Sequence, residues 1–376
     1  MLIAAIVFWA AVALILYTQL GYPLLLALLM RMRGVDRPAR VWEGELPSVS
    51  VIIPAYNEER VIAARIANLR GLDYPPERLE LIVCSDGSSD ETVARARAAG
   101  ADRVLELPRG GKIRAQDAGV AHAHGQLLAF TDANAQWESD ALRRLVDAFA
   151  DPLVGYACGD VSFLAEGGVN QEGLYWRYEM WLRRMESALY SITAGNGAIY
   201  ATRRETYMVI DPLAGHDLSF PFGMVKRGLR AVYVPQARAS EKMAPTLEGE
   251  FERKRRMARA TWPTMFESGL LSPRGYTPLY ALMILSHRIL RYAIPFLHAL
   301  AFIVNILLVG GGTIYLVTLA AQLALLAGAA LAPRLRLRPL LVARYYLVTN
   351  WAIAVGFWDW LRGERSPVWE TVEGTR

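Results

Sequence analysis

LLAFTDAN, Leu127–Asn134, is the stretch whose reading decides the fold. It opens on four apolar residues, Leu127, Leu128, Ala129 and Phe130, and ends abruptly in Asp132-Ala133-Asn134. A short apolar run closed by a polar cluster reads as a buried strand of a parallel sheet. Ligands of open α/β sheets lie beyond the carboxyl ends of such strands. Asp132 and Asn134 therefore stand at a ligand edge. A carboxylate and an amide oxygen, one residue apart, suit a Mg²⁺ or Mn²⁺ that also holds phosphates. The same two residues serve equally as an Asx turn or a cap for the helix expected after Trp137. This stretch alone leaves both readings open.

The flanking sequence repeats the pattern. SVSVIIP, Ser48–Pro54, is β-branched and stops at a proline, as a strand leaving the sheet does. Tyr56-Asn57-Glu58-Glu59 follows. Its glutamates suit the first turn of a helix reaching Arg70, where the dipole favours acid. Leu79–Val83 is the next strand, ending in Cys84-Ser85-Asp86-Gly87-Ser88-Ser89-Asp90. Glu91–Ala99 reads as a helix and Ala101–Leu107 as a third strand. Pro108-Arg109-Gly110-Gly111-Lys112 then turns into a helix through Ala123. Glycines before a helix let backbone amides approach an anion, and Arg109 and Lys112 add charge. An ordinary glycine turn with solvated bases accounts for the same letters. Strands alternating with helices across short links predict an α/β doubly wound, mostly parallel sheet. Asp86 and Asp132 then share the edge where a nucleotide lies.

Further on, Ser139–Ala150 is a helix and Leu153–Phe163 a strand. In the helix Gln171–Tyr190, residues Leu174, Tyr175, Tyr178, Met180, Trp181, Leu182 and Met185 read as core packing more than as a sugar platform. Thr193–Gly197 is a glycine-rich turn before Ala198–Tyr200. Gly215-His216-Asp217 opens a helix through Arg227, with Pro221 as a potential break. Ala231–Val234 is a late strand. FERKRRMARA, Phe251–Ala260, is a basic helix, either a solvated or membrane-flanking face or a contact for a diphosphate.

Composition sets the surroundings of this domain. The chain has 376 residues, 53% of them hydrophobic, and a formal charge of +5. The apolar residues are unevenly spread. Met1 to Met30 has no charged side chain, and Leu279–Leu331 and Leu341–Trp358 are again apolar. A bilayer span needs about 20 apolar residues. Four membrane segments are expected: Leu2–Met30, Leu279–Leu308, Gly312–Leu331 and Leu341–Trp358. The first is too long for a signal-peptide core and has no basic leader. Arg31, Arg33, Arg37 and Arg40 behind it favour the cytoplasmic side. This puts the α/β domain in the cytoplasm at the inner (plasma) membrane. Arg288 and Arg291 make the front of the second segment interfacial. Counting crossings leaves the tail around Gly374 outside, although Arg362 and Arg365 favour the inside. The basic excess is a membrane-flank effect and gives no ground for a nucleic-acid partner. Cys84 and Cys158 sit in apolar runs, as buried reduced thiols do. The division expected is a transmembrane helix at 1–30, a basic linker at 31–46, the α/β domain at 47–262, a linker at 263–278, membrane helices at 279–360 and a tail at 361–376.

In order and spacing, Pro54–Glu59, Ser85–Asp90, Gly111-Lys112, Thr131–Asn134, Ala194–Gly197 and His216-Asp217 resemble the membrane-bound family-two inverting glycosyltransferases of the GT-A fold. The likeness covers Ser48–Ala260 and continues into LSHRILRYAIPF, Leu285–Phe296. It implies a GT-A-type domain inserted between transmembrane helices. It also implies a nucleotide-sugar donor, UDP-linked, with Ala55, Tyr56, Glu58 and Asp86 at the base and ribose and Lys112 at the diphosphate. Asp132 would be the metal-side carboxylate, with Asn134 in place of a second aspartate. Asp217 would be the base acting on the acceptor hydroxyl, with His216 where relatives carry Glu. His216, Arg255, Arg256 and Trp262 are further acceptor or diphosphate contacts. The glutamine of the Q-x-x-R-W pattern of processive synthases is missing from Arg255–Trp262, which implies transfer of one or a few sugars.

A sugar nucleotide brings its own leaving group. The protein must neutralise the departing diphosphate and take a proton from the incoming hydroxyl. A metal with Lys112 meets the first need and a single carboxylate the second. The acceptor is then a saccharide or a lipid-linked molecule in cell-envelope glycan synthesis, with membrane lipid as a further partner. Two other classes remain: a membrane-associated nucleotidyltransferase, which would release pyrophosphate, and a non-catalytic glycan-assembly partner, which would turn over no donor.

Overall fold

The computed structural model describes residues 1–34, 40–164, 171–242 and 247–364, without the side chains of 164, 171–175 and 247. Arg37, Arg365 and Gly374, and the side chains of Leu174 and Tyr175, lie outside the described residues.

The chain opens with α1 (Leu2–Leu16), a π turn at Tyr17–Gly21, and α2 (Tyr22–Arg33). The α/β part follows as β1 (Val49–Ala55), α3 (Ile62–Arg70), β2 (Leu79–Asp86), α4 (Thr92–Ala98), β3 (Arg103–Leu107), α5 (Lys112–Ala121) and β4 (Leu127–Phe130). Then come β5 (Gln136–Trp137), α6 (Ala141–Ala148), β6 (Val154–Leu164), α7 (Gln171–Leu189), β7 (Tyr200–Arg203), α8 (His216–Lys226) and β8 (Arg230–Lys242). The last helices are α9 (Leu247–Phe266), α10 (Pro278–Ile284), α11 (Leu290–Leu308), α12 (Thr313–Leu335) and α13 (Arg338–Leu361), with a second π turn, Leu285–Ile289, between α10 and α11.

Among the described residues eight strands form one sheet in the order β3-β2-β1-β4-β7-β6-β8-β5. From β1 the chain moves outward through β2 and β3, then returns to lay β4 on the other side of β1. A crevice opens where strand order reverses in this way. It falls between the ends of β1 and β4, where Ile52 pairs with Phe130. Every residue of β1 and β4 is buried, which explains their unbroken apolar runs. The sheet is more mixed than expected. β4–β7, β7–β6 and β8–β5 are antiparallel, because the chain after β4 returns through long excursions in place of right-handed crossovers. β8 runs to Lys242, well beyond the strand expected at Ala231–Val234, because it pairs with β6 as far as Leu164.

One expectation about a helix start is corrected. α3 begins at Ile62, so Glu58 and Glu59 precede it. The Glu58 carbonyl accepts from the N–H groups of Val61 and Ile62, 3.0 Å each. α8 passes through Pro221 without breaking, for a reason given below.

Among the described residues, four helices are long and apolar enough to cross a membrane: Leu2–Arg33, Pro278–Gly311, Thr313–Leu335 and Arg338–Leu361. Phe8 and Ala11 of α1 pack on Ala301, Val304 and Leu308 of α11. Tyr22 and Leu26 of α2 pack with Leu182, Met185 and Leu189 of α7 in a cluster shared with α9 and α10. This cluster joins the α/β part to the long apolar helices, with Tyr17 Oη and Ser286 Oγ 2.8 Å apart between the two π turns.

Candidate active site

A cleft of about 460 Å³ opens at the β1–β4 crevice and runs to the apolar helices. One wall carries Pro54, Glu58, Lys112, Asp132 and Asn134; the other reaches Arg288, Tyr292, Thr349 and Ile353. Asp217 and the loop 194–198 lie along it.

The first wall is held largely by backbone groups. The Asn57 N–H donates to Ser88 Oγ (3.1 Å), and the Ser89 N–H returns a bond to Asn57 Oδ1 (2.9 Å). The N–H groups of Glu58 and Glu59 donate to Thr92 Oγ1 and Asp90 Oδ2. Asp86, 1% exposed, accepts from the N–H groups of Gly110 (2.6 Å) and Gly111 (3.0 Å) and from Arg109 Nη1 (2.7 Å). Gly111 has φ +98°, a conformation that L side chains rarely adopt. Arg109 in turn lies over the Tyr56 ring at 3.2 Å. Ala55, Tyr56 and Asp86 do not line the cleft itself; they back the turn that leads into Lys112.

Asp132 follows β4 and pairs with Lys112. Thr131 beneath it accepts from Arg65 Nη2 at 2.7 Å and donates to the Ala198 carbonyl at 2.9 Å. Arg65 is fully buried, and burial lowers its guanidinium to about 9 against the pull of Asp132 and Glu241. Sequence reading missed Arg65, since nothing local marks a cation inside an apolar helix face. Among the described residues no group of three His, Cys, Asp or Glu gathers as a metal cage. Asp132 with Asn134 instead offers a few hard oxygens at an open edge. That donor set fits a Mg²⁺ or Mn²⁺ drawing its other ligands from phosphate and water.

Asp217 opens α8. Burial pushes its carboxyl above the usual range, against the opposing pull of Lys112, the first-turn N–H groups and Arg183. Its own carbonyl would ordinarily accept from residue 221, four positions on, but Pro221 has no N–H. The Gly195 N–H takes the place at 2.6 Å. This substitution lets Pro221 sit inside the helix and ties the glycine loop to the first turn of α8. A Cβ on Gly195 would lie 2.0 Å from Tyr156 Oη, so only glycine fits.

His216 reaches the cleft lining, but both its nitrogens are engaged elsewhere. Nδ1 is 2.7 Å from Tyr200 Oη and Nε2 is 3.4 Å from Tyr207 Oη. Gln116 Nε2 donates to Tyr200 Oη and Tyr207 Oη donates to Asp117, so the chain of bonds assigns the proton to Nε2. Burial, with Lys112 nearby, lowers this imidazole to about 3 and keeps it neutral. A bond from His216 to Asp217 is not among those of the described residues. Glu241 also lines the cleft, whereas Asp211 is exposed and accepts from the Leu213 N–H of its own turn.

The far wall corrects two expectations. Arg255 turns away from the cleft and clasps Asp359 of α13 through Nε (2.6 Å) and Nη2 (2.9 Å). Trp262 is buried edge-on to Phe357, 4.7 Å between ring centres, and is a helix–helix contact, not an acceptor platform. Arg256 does line the cleft. Behind it lies a buried ionic network absent from the sequence expectations. Glu179 pairs with Arg291, and Glu186 accepts from Tyr22 Oη (2.6 Å) and faces His287 Nδ1 (2.7 Å). Burial opposes ionisation of Glu179, yet His287, Arg288 and Arg183 hold it at about 2. The signal was present: Glu179, Arg183 and Glu186 fall on one face of an aromatic helix, and charges inside a membrane-length helix seek partners.

A parallel four-strand core with a carboxylate at the end of β4, and a second carboxylate across a cleft, defines a GT-A fold. Residues 50–209 match the profile of Glycosyl transferase family 2. An N-acetylglucosaminyltransferase of Rhizobium leguminosarum bv. trifolii is 34% identical over 131 residues, 32% of this chain and 70% of the relative. A beta-monoglucosyldiacylglycerol synthase of Trichormus variabilis is 31% identical over 254 residues, 61% of this chain. The chain spans only 52% of that synthase. The mannosyltransferase PcManGT of Pyrobaculum calidifontis, solved with GDP-Man and Mn²⁺, superposes with a TM-score of 0.73 at 25% identity. The match covers 95% of this chain and 99% of that one. The chain belongs to glycosyl transferase family 2.

Proposed function

We propose that the chain is a membrane-bound inverting glycosyltransferase. It moves one or a few sugars from a nucleotide-sugar donor, UDP-linked by our reading, to a hydroxyl of a saccharide or lipid-linked acceptor. The single observation behind this is the pairing of two carboxylates across one cleft: Asp132, neutralised by Lys112, and Asp217, raised by burial.

Asp132 and Asn134 would hold a divalent cation, which supplies positive charge to the departing diphosphate. Lys112 supplies more charge on the same side. Asp86 binds no donor atom directly in this reading; it fixes the Gly110–Gly111 turn that delivers Lys112, Tyr56 under Arg109 supports the same turn, and Glu58 borders the nucleoside. On the opposite side Asp217 takes the acceptor proton. A carboxyl raised by burial is a stronger base than a solvated one, which suits general base work. One displacement inverts the anomeric centre and needs no covalent intermediate. The four long apolar helices support an integral membrane protein, with residues 47–262 on the cytoplasmic face behind the Arg31–Arg33 flank.

A panel of sugar nucleotides offered to the purified protein with Mn²⁺ tests this. Release of nucleoside diphosphate from one donor, lost in chelator and restored by metal, is expected. Pyrophosphate release instead would make it a nucleotidyltransferase, and no turnover with any donor would favour a non-catalytic assembly partner.

A further inference from the structure

The cleft carries more positive charge than its carboxylates balance: eight Lys and Arg line it against five Asp and Glu. Most of these cations have partners. Lys112 is on Asp132, Arg253 and Lys254 are on Glu250, and Arg291 is on Glu179. Two buried arginines differ. Arg183 donates to the Gly195 carbonyl (2.8 Å) and is enclosed by the Trp176 and Tyr233 rings. Arg288, 9% exposed, donates through Nε to Thr193 Oγ1 at 2.8 Å. Arg288 forms no ion pair among the described residues, and its Nη1 has no partner there. The π turn at Leu285–Ile289 brings the consecutive residues His287 and Arg288 both to the inside. His287 meets Glu179 and Glu186, which leaves Arg288 as the cation presented to the cleft.

A second, independent observation lies on the same wall. Thr349 Oγ1 of α13 is buried, lines the cleft and has no hydrogen-bond partner. Such orphaned polar atoms are rare in folded proteins. The Arg288 charge is felt by Glu179 and Glu186 but touches neither carboxylate, so its cleft side is open to a direct anionic contact. Both features ask for a ligand that is anionic and rich in acceptor oxygens.

We propose that this wall binds a phosphate group carried by the sugar acceptor, with Arg288 as its charge partner and the Thr349 hydroxyl donating to it. The proposal deepens the glycosyltransferase reading and rests on it. Arg288 is bonded to Thr193 at one end of the loop Thr193–Gly197, and the Asp217 carbonyl is bonded to Gly195 of the same loop. The anion and the base thus flank one short loop, so a phosphate at Arg288 leaves a hydroxyl of the same molecule near Asp217. Arg288 and Thr349 both belong to membrane-length helices, so a lipid can bring the phosphate; a water-soluble phosphoester is the other source.

The test is binding to the full chain in phosphatidylcholine nanodiscs, titrated separately with dioleoyl phosphatidic acid, dioleoylglycerol and glycerol 3-phosphate. Phosphatidic acid is expected to bind about tenfold tighter to the wild type than to Arg288→Gln, with Arg288→Lys recovering most of the loss. Binding of phosphatidic acid alone assigns the phosphate to a lipid. Equal binding of glycerol 3-phosphate assigns it to a soluble acceptor. If dioleoylglycerol binds as well as phosphatidic acid, or Arg288→Gln binds phosphatidic acid like the wild type, the proposal is overturned. Thr349→Val, outside the ionic network, carries the comparison if Arg288→Gln does not fold, and undiminished phosphatidic acid binding by it then counts against the site. Uridine and guanosine diphosphate binding with Mn²⁺ is read on the same samples. Its absence in the wild type sinks the glycosyltransferase reading and leaves the phosphate result to stand or fall separately.

Discussion

The two walls of the cleft are held by different kinds of bond. On the strand-end wall, backbone amides do the holding: Gly110 and Gly111 on Asp86, Asn57 against Ser88 and Ser89, Glu58 on Thr92. These partners lie 24 to 34 positions apart, within neighbouring βα units. On the helix wall, long ionic side chains meet from elements about a hundred positions apart: Arg291 with Glu179, His287 with Glu186, Arg255 with Asp359. The first wall is a template of fixed dipoles, which tolerates exchange of outward side chains. The second is a set of buried charges, stable only while each partner is present. Chemistry is therefore expected to fail from changes at the junction between the walls, and folding from changes within the helix wall.

The largest effect expected is at the junction. Asp217→Asn keeps an acceptor at the start of α8 but cannot take a proton, and transfer should fall by about 10²–10⁴-fold. Donor binding and melting should stay near wild type. Wild-type transfer by this variant would make Asp217 a cap and move the search to Glu241.

Next comes the helix wall. Glu186→Ala strips partners from Tyr22, Thr193 and His287 at a fully buried position. Breaking a buried ion pair from one side costs about 3–5 kcal/mol. The monodisperse fraction surviving a heating series should drop sharply. If it does not, the contrast between the walls is wrong.

Gly195→Ala is expected to cost about 1–3 kcal/mol through overpacking, since its Cβ would meet the Tyr156 hydroxyl. Pairing it with Tyr156→Phe should return part of the loss in both stability and turnover. Loss unchanged in the double variant would separate the loop from that contact.

The smallest effect is a matter of sign. Asp217 is raised in the folded state above the ordinary aspartate value of about 3.9. Its contribution to stability is then full below that value and lost as pH rises through the raised one. At neutral pH the ionised carboxylate is a burden on the fold, so Asp217→Asn should melt no lower than wild type there, and relatively lower in acid. The acidic limb of kcat/KM should lie above the usual carboxylate range, and Lys112→Met should move it higher still, because Lys112 opposes the shift. A limb that ignores Lys112 would assign it to another group.

The strand-end wall was legible in the sequence because its signals are local. Apolar runs stop at polar clusters, as at Phe130 before Asp132, and the links are short enough to fix strand order. Even there, the amides of Gly110 and Gly111 that meet Asp86 were not foreseen, since nothing in the local sequence sets a carboxylate against them. The helix wall was legible only as a charged face on α7; the partner each charge takes comes from a distant element and has no local mark. Arg255 in a basic helix looks solvated until Asp359, the sole acidic residue of α13, folds against it. Trp262 looks like an acceptor contact until Phe357 covers it. The π turn that turns Arg288 inward leaves no mark in composition.

Pro221 gives the molecule a mechanical linkage. By withholding an N–H it leaves the Asp217 carbonyl to Gly195, so the glycine loop and the helix carrying the base hang from one hinge pin. A shift of the loop tugs the carboxylate with it, and a jolt to the helix reaches the loop. An alanine at 221 would supply a rival amide, and the two parts would then keep separate time.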